Sequence, residues 1–171
     1  VYYHTGRKFC ILCYVDDIGR LVTPADTAWF DMKLEKRFRC KDPIYLSPTS
    51  GPLDFLGLNI AEIDDYYVMS MEQYITNTYE VLVPDVKLGS VCSRIKDLNR
   101  PIVSPIDEDS APIDIKSYAY KRFRKILGCC GWVSIVLRYD CCIAFSRAAQ
   151  YANKPNISAL QHAEHLFHHL M

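Results

Sequence analysis

The sequence has no excess of either charge, because 20 Lys and Arg residues balance 20 Asp and Glu residues. This balance excludes a wholly basic nucleic-acid-binding surface, although it allows a local basic patch. No uninterrupted apolar run reaches the roughly 18 residues that a membrane-spanning helix needs, and the first residues do not lead us to expect a signal peptide. With 50% apolar and 23% charged residues among 171, the composition predicts a folded protein of one domain or two small ones.

The sequence contains eight cysteines, an even number that would suit disulfide bonds. However, the chain is too long and too apolar to need such cross-links, and most cysteines lie in apolar segments such as residues 141–145. The pattern therefore predicts buried free thiols in a reducing, intracellular compartment, the cytoplasm or the nucleus. Zinc binding is disfavoured because Cys129-Cys130 and Cys141-Cys142 are adjacent, whereas zinc ligands are usually separated by about two to four residues.

Apolar periodicity predicts an α+β fold, in which antiparallel β-hairpins with helices are followed by an all-helical unit. Strands are expected at residues 8–14, 18–23, 54–62 and 66–71, with tight turns at Asp16-Asp17 and Asp64-Asp65. Helices are expected at residues 24–39, 72–83, 117–136, 140–152 and 156–170, with N-caps at Thr23, Ser117 and Asp140. The proline-rich residues 84–116 predict an extended connector between a first part, 1–83, and a helical part, 117–171.

An acidic pair, Asp16-Asp17, separates two apolar segments that are predicted to be strands. Adjacent carboxylates repel each other unless a cation lies nearby, and a bent turn lets both approach one ion. Hard carboxylate oxygens suit Mg²⁺, and such ligands serve in phosphoryl transfer by two metal ions. The pair therefore predicts a magnesium site, with a solvated acidic turn as the alternative.

Residues 14–17, with the sequence Tyr-Val-Asp-Asp, resemble the active-site hairpin of reverse transcriptases. Three later segments follow the order found in the reverse transcriptases of copia-type retrotransposons, so the resemblance covers nearly the whole chain. These segments are residues 54–60, residues 68–75, and residues 127–147 with Leu127-Gly128, Arg138-Tyr139-Asp140 and Ala144-Phe145-Ser146-Arg147. The resemblance implies an RNA-directed DNA polymerase, of which this chain is the C-terminal palm and thumb portion.

The resemblance also implies roles for individual residues. Asp16 and Asp17 match the carboxylates that bind the catalytic Mg²⁺, with the looser contact at Asp17. Tyr14 and Val15 match the pair that lies beneath the primer end and the template. The first part of the chain would then be palm-like, the helical part thumb-like, and an RNA or DNA primer–template the partner.

The chain departs from the reverse transcriptase pattern in several places. The family needs another metal-binding aspartate upstream of the hairpin, but no acidic residue precedes Tyr14. The fingers and the RNase H domain have no counterpart, Tyr139 stands where the family usually has proline, and Gly19 stands where a bulkier apolar residue is common. Because the chain begins with Val1, we expect a partial reverse transcriptase, inactive alone, whose missing palm and fingers lie on an absent segment or on other protein chains. The alternative is a non-catalytic, retroelement-derived module whose unpaired sheet edge docks in a larger assembly.

Basic and aromatic residues alternate around the start of the predicted helix 117–136. The basic residues are Lys116, Lys121, Arg122, Arg124 and Lys125, and the aromatic residues are Tyr118, Tyr120 and Phe123. This mixture suits a nucleic-acid backbone with some base stacking, and the resemblance implies a thumb helix along the primer–template here. An amphipathic helix whose aromatic side chains turn to the core is the alternative.

Four histidines near one face of the last predicted helix are a weaker signal for a transition-metal site. They are His162, His165, His168 and His169. No carboxylate completes a known hydrolase pattern with them. We therefore expect solvated or partner-facing histidines.

Overall fold

The computed structural model describes residues 1–82, 103 and 105–171 of the chain. Over these residues the protein is α+β, as predicted, with two small three-stranded antiparallel sheets and five α-helices. The described residues form two compact units, Val1–Val68 and Met69–Met171. The sequence predicts a first part, 1–83, and a helical part, 117–171, and most of the connector predicted between them, 84–116, lies outside the described residues. None of the described helices has the length and apolarity that a membrane crossing needs.

The first sheet contains β1 (Tyr2–His4), β2 (Phe9–Tyr14) and β3 (Asp17–Leu21), in that order. The register places Tyr14 opposite Asp17, so the two turn residues are Val15 and Asp16. The prediction of a turn at Asp16-Asp17 is therefore wrong by one residue. The physical reason is the backbone of Val15, whose φ of 53° gives the positive φ that a tight hairpin needs at its first turn position.

Helix α1 (Pro24–Glu35) follows the first sheet. It begins where predicted, with Pro24 at its first position, and Thr23 precedes it as the N-cap residue without a capping hydrogen bond from its side chain. The helix ends before the predicted residue 39, because the amides of Arg37 and Phe38 both donate to the Leu34 carbonyl and close the last turn.

The second sheet contains β4 (Leu53–Phe55), β5 (Leu58–Ile63) and β6 (Tyr66–Ser70), in that order. The single strand predicted over 54–62 is wrong, because the chain turns at Leu56-Gly57, where both residues have positive φ. The predicted turn at Asp64-Asp65 is confirmed, with φ values of 48° and 65°. Strand β6 lies at the edge of this sheet, and its first four side chains, on both faces, are exposed.

The second unit contains α2 (Glu72–Leu82), α3 (Tyr118–Val136), a 3₁₀ turn (Tyr139–Cys141), α4 (Cys142–Ala149) and α5 (Ile157–Leu170). The helices predicted at 72–83, 117–136 and 156–170 agree with these bounds to within one residue at each end. The helix predicted at 140–152 is instead a 3₁₀ turn followed by a shorter α-helix. Fully buried side chains from four helices form its core, and they include Tyr79, Phe123, Ala144 and Phe167. The core therefore depends on the packing of α2, α4 and α5 against the long helix α3.

Helix caps in the second unit follow the sequence only in part. Ser117 caps α3 as predicted, since its hydroxyl accepts a hydrogen bond from Tyr120 N at 3.1 Å. Asp140 is not the predicted N-cap, because the 3₁₀ turn leaves Cys141 at that position and the Asp140 carboxylate binds Arg138. Asn156 caps α5, with its side-chain oxygen 2.8 Å from the backbone nitrogen of Ala159.

The described end of the predicted connector is attached to the helical unit by backbone hydrogen bonds. Ile113 N donates to the Pro155 carbonyl, and Ile157 N donates to the Ala111 carbonyl, each at 2.9 Å. The Asn156 side chain also donates to the Asp107 carbonyl. Residues 105–116 therefore belong to the structure around the start of α5.

Candidate functional site

The β2–β3 hairpin carries Asp16 and Asp17 at an exposed tip. Neither carboxylate forms a hydrogen bond or an ion pair with any described residue, so their oxygens are accessible to a cation. Among the described residues, no third ligand-type side chain lies close enough to share an ion with this pair. The hairpin therefore offers two hard oxygen donors but an incomplete set of metal ligands.

Val15 holds the hairpin tip in an unfavourable backbone conformation. Its φ of 53° lies in the left-handed region, which costs a residue with a Cβ roughly 1–2 kcal/mol. Its side chain is 91% exposed, so no packing compensates for this cost. Strained residues of this kind are concentrated at functional sites, where the surrounding structure enforces them.

The base of the hairpin is anchored while the tip is free. Phe9 is buried against Trp29 and Phe30, with ring centroids 5.9 and 5.8 Å apart. Arg20 forms an ion pair with Asp31, and this hydrogen bond raises the pKa of Arg20. These contacts fix β2 and β3 against α1, so the acidic tip extends from a rigid support.

Gly19 stands where the resemblance leads one to expect a larger residue, and the structure gives a steric reason. A Cβ added to Gly19 would lie 3.3 Å from two ring atoms of Phe55 and 3.6 Å from the Leu12 side chain. The two contacts with Phe55 are tighter than ordinary packing distances, whereas the contact with Leu12 is not. Phe55 therefore occupies the space that a larger side chain at this position would need.

Four of the five predicted basic residues around the start of α3 are exposed: Lys116, Lys121, Arg124 and Lys125. The exception is Arg122, which is half-buried and pairs with Glu164 at 3.1 Å. The exposed ring of Tyr118 is accessible for base stacking, whereas the fully buried ring of Phe123 belongs to the core, as in an amphipathic helix. Tyr120 is half-buried. The helix therefore presents a basic face and also contributes an aromatic side chain to the core.

The four histidines of α5 do not form one exposed cluster. His162 is buried, with its Nε2 atom 3.1 Å from the Ala144 carbonyl oxygen, so the expectation of a solvated histidine is wrong there. His168 packs on Tyr79, and burial with the nearby Arg122 charge lowers its pKa. The reason for the error is that α5 packs against both α3 and α4, which turns part of its histidine face inward.

A group that the sequence does not predict is formed by Asp140, Cys141 and His169. Their potential ligand atoms all lie within 4.8 Å of one another. Arg138 holds the Asp140 carboxylate through two hydrogen bonds of 2.9 and 2.8 Å and lowers its pKa to about 2. Burial raises the pKa of the Cys141 thiol to about 11 and, with the Arg138 charge, lowers that of His169. No sequence spacing indicates this group, because folding brings His169 to the other two residues.

The described cysteines are all free, as predicted, although Cys13 and Cys40 are exposed rather than buried, and Cys92 lies outside the described residues.

The described residues present three features of chemical interest: the acidic hairpin tip, the basic face of α3, and the Asp140, Cys141 and His169 group. Comparison of the chain with protein-family models, with curated proteins and with solved structures finds no match. A functional assignment therefore depends on these three features and on the motif at residues 14–17.

Proposed function

We propose that the chain is the palm and thumb portion of a reverse transcriptase-like RNA-directed DNA polymerase of the copia type. Asp16 and Asp17 hold catalytic Mg²⁺, and α3 contacts the primer–template. The observation that carries the proposal is the hairpin tip, where two exposed carboxylates without described partners follow the strained residue Val15. The free thiols fit a reducing compartment, the cytoplasm or the nucleus.

The donor atoms at the tip fit magnesium. Carboxylate oxygens are the ligands that Mg²⁺ prefers, and both acids are accessible at the end of a rigid hairpin. When bound, Mg²⁺ supplies charge stabilisation for nucleotidyl transfer. Tyr14 lies directly opposite Asp17, so the two side chains share one face, on which the primer end would rest. Because two carboxylates are too few for two ions, the described residues alone bind Mg²⁺ weakly and do not polymerise DNA.

The proposed nucleic-acid contact is the exposed basic face of α3. Lys121 and Lys125 are one helical turn apart, and Gly128, one turn further on, leaves the helix surface open, since a Cβ there would meet nothing within 4 Å. Lysines on such a flat face can reach successive backbone phosphates, and the exposed ring of Tyr118 can stack on a base. Arg122 is less available for this role because it pairs with Glu164.

A metal titration at two acidic hairpins tests the first half of the proposal. Asp64-Asp65 is an internal control, because it is a second exposed acidic pair at a tight hairpin turn, although it occupies both turn positions whereas Asp17 lies in β3. With Mn²⁺ as the paramagnetic probe in place of Mg²⁺, we expect amide signals of residues 14–17 to broaden at several-fold lower concentrations than those of residues 63–66. Asp16→Asn should abolish this preference. Equal broadening at both hairpins would contradict the proposed metal site.

A binding titration tests the second half. We expect an RNA–DNA primer–template to bind the chain, with a double substitution Lys121→Gln and Lys125→Gln reducing the salt slope, dlogK/dlog[salt], by about 2. The matched control is Lys33→Gln with Lys36→Gln, two exposed lysines near the end of α1. Fluorescence anisotropy at several salt concentrations measures both. If the control pair lowers the slope as much as the α3 pair, binding is unspecific and α3 is not the contact.

The second candidate function is a non-catalytic interaction module, and one observation favours it. The distal half of the β2–β3 hairpin exposes apolar side chains, among them Leu12, Tyr14, Val15 and Ile18. Exposed apolar residues in a group are typical of a docking surface. This function predicts no Mn²⁺ preference at residues 14–17 and self-association in sedimentation velocity that Leu12→Ser with Ile18→Ser reduces.

A further inference from the structure

A second, chemically different set of metal-ligand atoms lies in the helical unit. Asp140 and Cys141 belong to the 3₁₀ turn, and His169 belongs to the last turn of α5. Their oxygen, sulfur and nitrogen atoms lie within 4.8 Å of one another. Around a tetrahedral Zn²⁺, with bonds of about 2.0–2.3 Å, ligand atoms are separated by about 3.3–3.6 Å. The Asp140 Oδ2 and Cys141 Sγ atoms, 3.6 Å apart, already have this separation.

We propose that Asp140, Cys141 and His169 bind one Zn²⁺, or a similar borderline divalent transition-metal ion, with the fourth position left to water. The mixture of thiolate, imidazole and carboxylate ligands selects such an ion and disfavours Mg²⁺, which prefers oxygen alone. The site is thus distinct from the hairpin tip at Asp16 and Asp17. The ion would link the 3₁₀ turn to the end of α5.

The burial of the three residues suits a site that is open on one side. Cys141 is fully buried and half of the Asp140 side chain is exposed, so an ion can enter from the Asp140 side. The neighbouring Cys142 is not part of the site, because its Sγ atom lies 3.4 Å from the Ser134 carbonyl oxygen. On binding, the Cys141 thiol releases its proton to solvent and the sulfur coordinates as a thiolate.

Arg138 competes with the ion for the same atoms. Its Nη2 atom lies 2.8 Å from Asp140 Oδ2 and 3.3 Å from His169 Nε2, so it stands between two of the three ligands. The Arg138 and Asp140 side chains are 36% and 53% exposed, and ion pairs at such exposure contribute little to stability. An ion that gains a thiolate ligand can therefore displace the guanidinium, which moves into solvent with its charge unchanged.

Titration of the full chain with Zn²⁺ and with Co²⁺ tests the proposal. We expect one ion per chain by calorimetry, and a thiolate-to-cobalt charge-transfer band that identifies the sulfur ligand. Cys141→Ser and His169→Gln should each remove the band, whereas the matched control Cys142→Ser should retain it. His169→Gln keeps the test decisive if Cys141→Ser fails to fold, because His169 is only half-buried. A band that persists in His169→Gln, or that Cys142→Ser also removes, would overturn the assignment.

Arg138→Met tests the competition directly. Removal of the competing guanidinium and its charge should tighten Zn²⁺ binding by about fivefold, which corresponds to about 1 kcal/mol. Zn²⁺ should also raise the melting temperature of the natural sequence and of Arg138→Met but not that of His169→Gln, because an ion that binds only the folded state stabilises it. Unchanged or weaker binding by Arg138→Met would refute the displacement of Arg138.

Discussion

Two glycines of α3 allow a matched test of how this helix packs. Gly131 is buried, and a Cβ added there would lie 2.7 and 2.8 Å from two ring atoms of Phe145 on α4. Gly128, three residues earlier, is exposed, and a Cβ there would meet nothing within 4 Å. We predict that Gly128→Ala stabilises the helical unit and that Gly131→Ala destabilises it.

The expected size of each effect follows from two opposing contributions. Replacing Gly by Ala inside a helix favours the folded state by about 0.8–1.0 kcal/mol. This gain is unopposed at Gly128. At Gly131 the added methyl overpacks the contact with Phe145, at a cost of about 1–3 kcal/mol. The half-buried ring can yield in part, so we expect a net loss of about 1 kcal/mol and a difference of about 2 kcal/mol between the two variants.

Urea denaturation followed by circular dichroism measures both free energies of unfolding. A third variant, Gly131→Ala with Phe145→Leu, should recover part of the loss, because the shorter side chain leaves space for the methyl group. If Gly128→Ala and Gly131→Ala have the same stability within about 0.5 kcal/mol, the close approach of α3 and α4 at Gly131 is refuted.

Three further predictions concern the core, the helix caps and an ion pair. Phe123→Ala removes a fully buried ring, so the free energy of unfolding in urea should fall by about 3–5 kcal/mol, and a loss below about 1 kcal/mol would contradict the described core. Ser117→Ala should lower that free energy by about 1 kcal/mol, and Thr23→Ala should lower it by less. Of these two N-cap residues, only Ser117 accepts a capping hydrogen bond with its side chain. Equal losses in the two variants would contradict this assignment of the caps. Hydrogen bonds from Arg7 and then from Thr23 lower the pKa of Asp26 below 3.8, so the Arg7–Asp26 pair, supported by Thr23, stabilises the fold above pH 3.8 and this stability is lost as the pH falls through the lowered pKa. Asp26→Asn should therefore lower the melting temperature at pH 7 and have a diminishing effect in acid; a constant difference across this range would exclude the pair as its cause.

The sequence predicts element types better than turn positions. The β2–β3 hairpin was expected, but its turn lies at Val15-Asp16 because a β-branched residue adopts positive φ there, and residue preferences point away from such a choice. The turn at Leu56-Gly57 was missed because it lies within an apolar segment that alternates like one strand. At Asp64-Asp65 the turn preference of the residues and the apolar pattern agree, and that prediction is confirmed.

Groups of residues that are close in the sequence could be named before the structure, and groups assembled by tertiary packing could not. The acidic pair Asp16-Asp17 and the basic residues of α3 are near neighbours in the sequence, so both groups could be named from the sequence and from the motif at residues 14–17. The group around Asp140 and Cys141 could not, because its third member, His169, joins it only when α5 packs on α3 and α4. The burial of His162 is also a result of tertiary packing. Helical spacing shows which residues share one face of α5, but it does not show which other helices pack on that face.

Strand β6 has a consequence for handling the protein. Residues 66–69 are exposed, uncharged and rich in residues that favour strands, and they lie in an edge strand whose outer backbone groups pair with no other described strand. Such segments add to copies of themselves and seed aggregates. The acidic residues that flank this segment, Asp64 and Asp65 before it and Glu72 after it, act as gatekeepers, because stacked copies would bring like charges together. The solubility of the chain should therefore depend more on these three carboxylates than on its zero net charge.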